Sequence, residues 1–339
     1  MIETPRKAVR DDGLTARITG RVPLVYREGP SESDDRPPFV RAASGLGTFR
    51  EYLIAVQDDA NWIALIDGDH QVRSLPLPRG PHGARLFDDK HGNAEDKIDL
   101  EACVVMAAAD GFEIIAFGSG TASGREWVLR ASCADPACAS ADDLRFEARF
   151  CPAADFYATL RDHLAFSGGN VNIEGAVALD HDCILLMQRG NASAEDGEAV
   201  DATAELSWTE LRANLDRGGP PPKLREVTRY DLGELKGVRL TFSDAEKMAD
   251  GRILYSASAE DPHSDRICGS VLGIIAADGS ARWTEIADED GAPFASKIEG
   301  LTVDPLDPLK VCFVIDDDDT EAPSALFLAE LGGGFVSGA

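Results

Sequence analysis

Three short polar entries into apolar runs recur along this chain: Asp99-Leu100-Glu101-Ala102, Asn172-Ile173-Glu174-Gly175 and Lys297-Ile298-Glu299-Gly300. Each leads into a run of strand length, a turn, a second apolar run and a polar cluster. Apolar runs of four to eight residues bounded by turn residues read as buried strands, and pairs joined by short turns read as hairpins. A hairpin that recurs with its own polar leading edge cannot bury its faces alone and needs neighbours like itself. The pattern therefore predicts an all-β chain, with each hairpin forming the inner half of a β-propeller blade.

Traced along the sequence, this gives five four-stranded blades. The first spans residues 46–77 and the second 101–150, with a short helix over 156–163 before the third at 174–230. The fourth spans 239–286. The last, at 299–331, has only three strands, and an isolated strand at 16–26 is available to complete it and close the ring. Six blades stay open if two are merged between 190 and 240. Residues 1–13 are expected to form a flexible polar tail, and residues 14–335 one propeller domain.

In an antiparallel hairpin the start of one strand faces the end of the next. Glu101 is then expected opposite Gly118 or Ser119, Glu174 opposite Gln188, Glu299 opposite Asp316 and Ser44 opposite Gln57. In the fourth blade, Ser243 and Asp244 face Ala257 and Ser258. Innermost strands line a propeller's channel, so these pairs should gather at one mouth. Period-two alternation adds Lys97 and Asp99 on the face of Glu101, Asn170 and Asn172 on that of Glu174, and Lys297 on that of Glu299. Converging carboxylates need either raised pKa values or a cation. A hard cation such as Ca²⁺ takes about 6–8 oxygen ligands in irregular geometry, which makes Glu174, Glu299 and Asp316 metal candidates, with Glu101 and Asn172 next. The alternative is a ring neutralised by its own Lys97, Arg125, Arg189 and Lys297. As a hydrolase, the site would use Glu101 or Asp316 as base and Arg189 or Arg125 to hold substrate charge. As a binding propeller, the same mouth would take a small, anionic ligand or a protein loop. A third reading is a structural module whose channel is merely solvated.

Composition narrows the partners. The formal charge is −27, from 60 acidic against 33 basic residues, which disfavours nucleic acid and anionic membrane surfaces. No apolar run has the length of a membrane helix, and no apolar leader is visible after Met1. Cys103, Cys183 and Cys312 fall in apolar runs as small hydrophobes. Cys133 and Cys138 flank a polar loop and lack the second pair that a zinc site would want. Reduced thiols and a cytoplasmic location are the expectation.

The set Lys97-Ile-Asp-Leu-Glu101, Phe117-Gly-Ser-Gly120, Asn172-Ile-Glu-Gly175, Gln188-Arg-Gly-Asn191 and Lys297-Ile-Glu-Gly300 resembles a family of uncharacterised bacterial β-propeller proteins over residues 40–331. More distantly, the Glu-Gly strand starts look like those of phytase-like esterase and gluconolactonase-type propellers. That resemblance implies a Ca²⁺-dependent hydrolase of a small phosphoester or lactone, with Glu174 and Glu299 among the metal-binding positions.

Overall fold

The computed structural model describes residues 4–108, 111–133, 144–190, 198–261, 264, 266–304, 307–315 and 319–336. In chain order, β1 (Arg6–Lys7), β2 (Val9–Arg10) and β3 (Leu14–Pro23) come first. The first sheet is β4 (Ala43–Phe49), β5 (Tyr52–Gln57), β6 (Trp62–Ile66) and β7 (Val72–Pro76). The second is β8 (Leu100–Ala108), β9 (Gly111–Gly118), β10 (Trp127–Cys133) and β11 (Phe146–Pro152). Helices α1 (Ala154–Asp162) and α2 (Leu164–Ser167) lead to the third sheet, β12 (Ile173–Ala178), β13 (Cys183–Gln188), β14 (Asp201–Ser207) and β15 (Arg225–Asp231). Helix α3 (Trp208–Arg217) lies between its last two strands. After β16 (Glu234–Leu235), the fourth sheet is β17 (Val238–Lys247), β18 (Ile253–Asp261), β19 (Arg266–Ile275) and β20 (Ala281–Ala287). Last come β21 (Ile298–Val303), β22 (Lys310–Ile315) and β23 (Ala325–Gly333), with β3 antiparallel on β23, Ala325 opposite Pro23 and Gly333 opposite Leu14.

The chain is thus all-β and propeller-like, built of four-stranded antiparallel units, the fourth of which runs on into the last through a short parallel pairing of β20 with β3, Ile286 opposite Ala16 and Ala287 opposite Arg17. The first strand of each sheet packs beside the first strand of the next: β4 on β8, β8 on β12, β12 on β17, β17 on β21, and β21 on β4. An apolar cluster fills each space between consecutive sheets. Ile54, Ile114 and Leu129 lie between the first two sheets, Phe117, Phe156 and Leu186 between the next two, and Val40, Leu46 and Val314 between the last and the first. Each such side chain, fully buried, contributes about 1.5–3 kcal/mol. Strands buried on both faces explain why the sequence shows continuous apolar runs rather than clean alternation.

Several local expectations change. Residues 6–10 are not a loose tail: β1 runs parallel beside β15, and β2 beside β20. The short helix expected over 156–163 is α1, broken from α2 at His163. Helix α3 was not expected. Its signal is the capping box Ser207-Trp-Thr-Glu210, where Ser207 Oγ accepts the Glu210 N–H at 3.2 Å. Cys133 ends β10 as a buried residue and not in a polar loop, while Cys138 lies outside the described residues. Among the described residues no helix is long and apolar enough to cross a membrane.

Candidate functional site

The leading hairpins share one irregularity. In β8–β9, Leu100 pairs with Gly118 and Ala102 with Phe117, so Glu101 is an extra residue bulged out of the ladder. In β12–β13, Ile173 pairs with Gln188 and Gly175 with Met187, which leaves Glu174 bulged. Ser243 is bulged between Phe242 and Asp244, and Glu299 between Ile298 and Gly300. In β4–β5, Ala43 pairs with Gln57 and the register slips before Leu46, at Ser44 and Gly45. The expected pairings of Glu101 with Gly118 or Ser119, of Glu174 with Gln188, of Ser44 with Gln57, and of Ser243 and Asp244 with Ala257 and Ser258 are therefore all out of register, with Leu100, Ile173, Ala43 and Phe242 opposite Gly118, Gln188, Gln57 and Ala257 instead. A bulge sets two residues against one and re-aims the extra side chain, a slip that alternation alone cannot reveal. The run from Lys97 to Glu101 is not extended either, because Asp99 has φ of 63°, in the left-handed region.

The bulges do bring the acidic side chains together. Asp58, Asp99 and Glu101 each offer a carboxylate oxygen within 4.8 Å of the others. Glu174 and Glu299 stand close enough to act electrostatically on Glu101. Most of these carboxylates have a cation. Lys97 Nζ lies 2.7 Å from both Asp58 Oδ2 and Asp99 Oδ1, and Arg125 Nη1 3.0 Å from Asp99 Oδ2. Arg189 reaches Glu174 at 3.2 Å and Glu260 at 2.7 Å, and Lys297 reaches Glu299 at 2.7 Å. Asn172 Nδ2 donates to Glu174 Oε1 at 2.8 Å, and Ser119 Oγ to Asp99 Oδ2 at 2.5 Å. Glu101 is the exception. The Ser44 hydroxyl donates to it, and among the described residues no salt bridge reaches it.

Of the residues singled out from sequence, Glu101, Glu174, Glu299, Asn172, Arg125 and Arg189 all belong to this one constellation. Asp316 lies outside the described residues. Sequence reading missed Asp58 as a member, along with a neighbouring group in which Arg41 pairs with Asp59 at 2.5 Å and with Asp88 at 2.8 Å. The available signal was positional. Asp58 comes directly after Gln57 at the end of a second strand, just as Arg189 comes directly after Gln188. A cleft of about 510 Å³ opens beside these residues, lined by Arg41, Asp58, Asp59, Phe87, Asp88 and Lys97 among others.

The electrostatics arise from burial and crowding. Burial, then the Asp99, Glu174, Asp58 and Glu299 charges, push the Glu101 carboxyl well above the usual range. Burial raises Glu299 despite the opposing Lys297, and raises Asp58 despite Lys97. Burial and Asp58 push Asp59 up to about 7 against the pull of Arg41. Burial would also raise Asp88, but hydrogen bonds from Arg41 and His91 win and hold it at about 2. Burial works against charge on Arg189, Lys97 and Lys297, and the facing carboxylates more than reverse it. Asp58 Oδ1 and Asp59 Oδ1 are buried with no hydrogen-bond partner.

A sequence family described as a family of unknown function (DUF6929) matches residues 39–331. No curated protein matches the chain. Similar solved structures include a virginiamycin B lyase from Staphylococcus aureus, at 10% identity over 94% of this chain and 100% of that one, TM-score 0.40. A Xanthomonas campestris gluconolactonase is similar at 13% identity over 83% and 69%, TM-score 0.33. A Bacteroides thetaiotaomicron protein of unknown function is similar at 10% identity over 96% and 84%, TM-score 0.42.

Proposed function

We propose a function from the site alone, because the chain belongs to a family of unknown function (DUF6929): a five-bladed propeller, closed by β3, that binds Ca²⁺ at its acidic mouth and hydrolyses a small anionic phosphoester or lactone. The observation that carries this reading is the trio Asp58, Asp99 and Glu101, with oxygens within 4.8 Å, an orphaned Asp58 Oδ1 and, among the described residues, no cation paired to Glu101. Those features suit a cation with several oxygen ligands. Glu174 and Glu299 stand outside the trio whose oxygens lie within 4.8 Å of one another and serve as supporting charges rather than ligands, so the metal position moves toward Asp58 while keeping Glu101. The metal would have to displace Lys97 from Asp58 and Asp99. Ca²⁺ held there would polarise a substrate oxygen or a water.

The chain's own groups supply the rest. Glu101, its carboxyl raised by burial and by the neighbouring carboxylates, is the group that exchanges a proton with a bound ligand. Arg125, partly exposed beside Asp99, and Arg189, buried between Glu174 and Glu260, supply the positive charge that holds the anionic end of the substrate. Calcium-dependent thermal shift of the wild type, lost in Asp58→Asn and Glu101→Gln, together with turnover on phosphoester and lactone panels, tests the reading. An unchanged melting curve with Ca²⁺ and with chelator would sink the metal. One observation favours a second reading, a non-catalytic binding propeller: Lys97 already bridges Asp58 and Asp99. That reading gains if small anions shift the melting curve while Ca²⁺ does not and no panel substrate turns over.

A further inference from the structure

The strands that lead into the acidic mouth also end together. Three or four residues beyond the bulges, roughly 10 Å further along at strand rise, all of them line a second cavity of about 440 Å³: Gly47 from β4, Val105 from β8, Ala178 from β12, Glu246 from β17 and Val303 from β21. This cavity is two-sided. On one side the lining residue Thr48 shares a hydrogen bond of 2.9 Å with the hydroxyl of the fully buried Thr302, which in turn donates to Glu246 Oε2 at 3.0 Å. The other Glu246 oxygen accepts the Lys247 N–H at 2.7 Å. The opposite wall, from β8 and β12, is apolar and built of small side chains.

Glu246 carries the charge here. No salt bridge reaches it among the described residues, and Lys247, which also lines the cavity, donates its ammonium to the Leu179 carbonyl. Burial raises its pKa against its hydrogen bonds, so a bound cation would relieve a cost already present in the fold. Asp304 adds a second carboxylate to the lining. This lining, two carboxylates and the Thr48 hydroxyl beside an apolar wall, falls short of the about 6–8 oxygens that a hard metal takes. It does match an ammonium head on a short alkyl chain, with the head on Glu246 and the chain against Val105 and Ala178.

We infer that the end of the channel remote from Glu101 is a second binding site, for a small alkylammonium compound. It does not depend on the hydrolase reading, since Glu246 has no part in the acidic mouth. Calorimetric titration with n-butylammonium chloride at neutral pH is the test. Binding to the wild type should weaken at least tenfold in Glu246→Gln, which removes the charge, and in Ala178→Leu, which fills the cavity and keeps the charge. Glu101→Gln should bind as the wild type does, and uncharged n-butanol should not bind. The variants are compared only where their melting transitions remain cooperative. Absence of binding by the wild type would overturn the inference, as would equal binding by Glu246→Gln or n-butanol binding as tightly as the amine. Heat from Ca²⁺ that disappears in Glu246→Gln would instead make this a metal site and likewise overturn it.

Discussion

Glu101 is the residue on which the acidic mouth turns, because its neighbours have counter-charges and, among the described residues, it does not. Its carboxyl is raised in the folded chain. The stability it contributes is therefore complete below its ordinary pKa and is lost as pH rises through the folded value. Asp59 acts in the same direction between its ordinary 3.8 and about 7. Asp88, held at about 2, acts in the opposite direction, and its contribution is lost only as pH falls below the ordinary carboxylate range. The expected profile has a melting midpoint that rises as pH is lowered from 8 to about 5. Glu101→Gln should melt about 2–4 °C above the wild type at pH 8 without metal, with the gap closing toward pH 4.5. Differential scanning fluorimetry across that range, in chelator, checks it. A gap of the same size at every pH would show that the substitution acts through packing instead. The acidic side chains were readable because Glu-Gly and Glu-Ala starts recur. Lys97, Arg125, Arg189 and Lys297 were readable as counter-charges, but not their distant partners: Lys97 reaches Asp58 across 39 positions and Arg189 reaches Glu260 across 71.

Among elements, the leading hairpins are distinguished by a small residue at or just after each acidic bulge and at the slip in β4. Gly45, Ala102, Gly175 and Gly300 are small where one first strand presses on the next. A Cβ on Gly300 would stand 2.1 Å from the Ser44 carbonyl oxygen, and one on Gly45 would stand 2.8 Å from the Cys103 nitrogen and the Glu101 oxygen. Backbone cannot yield as a flexible side chain can. Gly300→Ala is therefore expected to cost about 3 kcal/mol or more, measured by urea unfolding. A loss under about 0.5 kcal/mol, the size of an ordinary surface change, would mean that the strands are not so tightly apposed. The strands themselves were legible, as was α1. The off-by-one registers and the first helical turn of α3 were not. A bulge leaves no periodic mark in a strand that is apolar on both faces, and the Ser207 capping signal comes directly after a run that reads as strand.

At the scale of the molecule, Asp244 ties the sheets to one another. Its buried carboxylate accepts the Leu301 N–H of β21 at 2.7 Å and its neighbour Ala245 N–H at 2.7 Å, and it also takes a backbone hydrogen bond from Leu46 of β4. One side chain on β17 thereby satisfies backbone donors on strands of two other sheets. Asp244→Ala strands those donors, at about 1–3 kcal/mol for each buried group left unpaired. The expected outcome is a lower melting midpoint with faster amide exchange at Leu46 and Leu301 than in distant strands. Uniform loss of protection over the whole chain would argue against a local tie.

The pairing of β3 with β23 joins a strand ending at Pro23 to one beginning at Ala325. On a ribosome adding about 5–20 residues per second, the earlier strand emerges first and then waits on the order of 15–60 s for its partner to be made. Over that interval β3 gains only its short parallel contact with β20, Ile286 opposite Ala16 and Ala287 opposite Arg17, so its other edge stays open to holdase chaperones and to misassembly with a second copy until β23 is made.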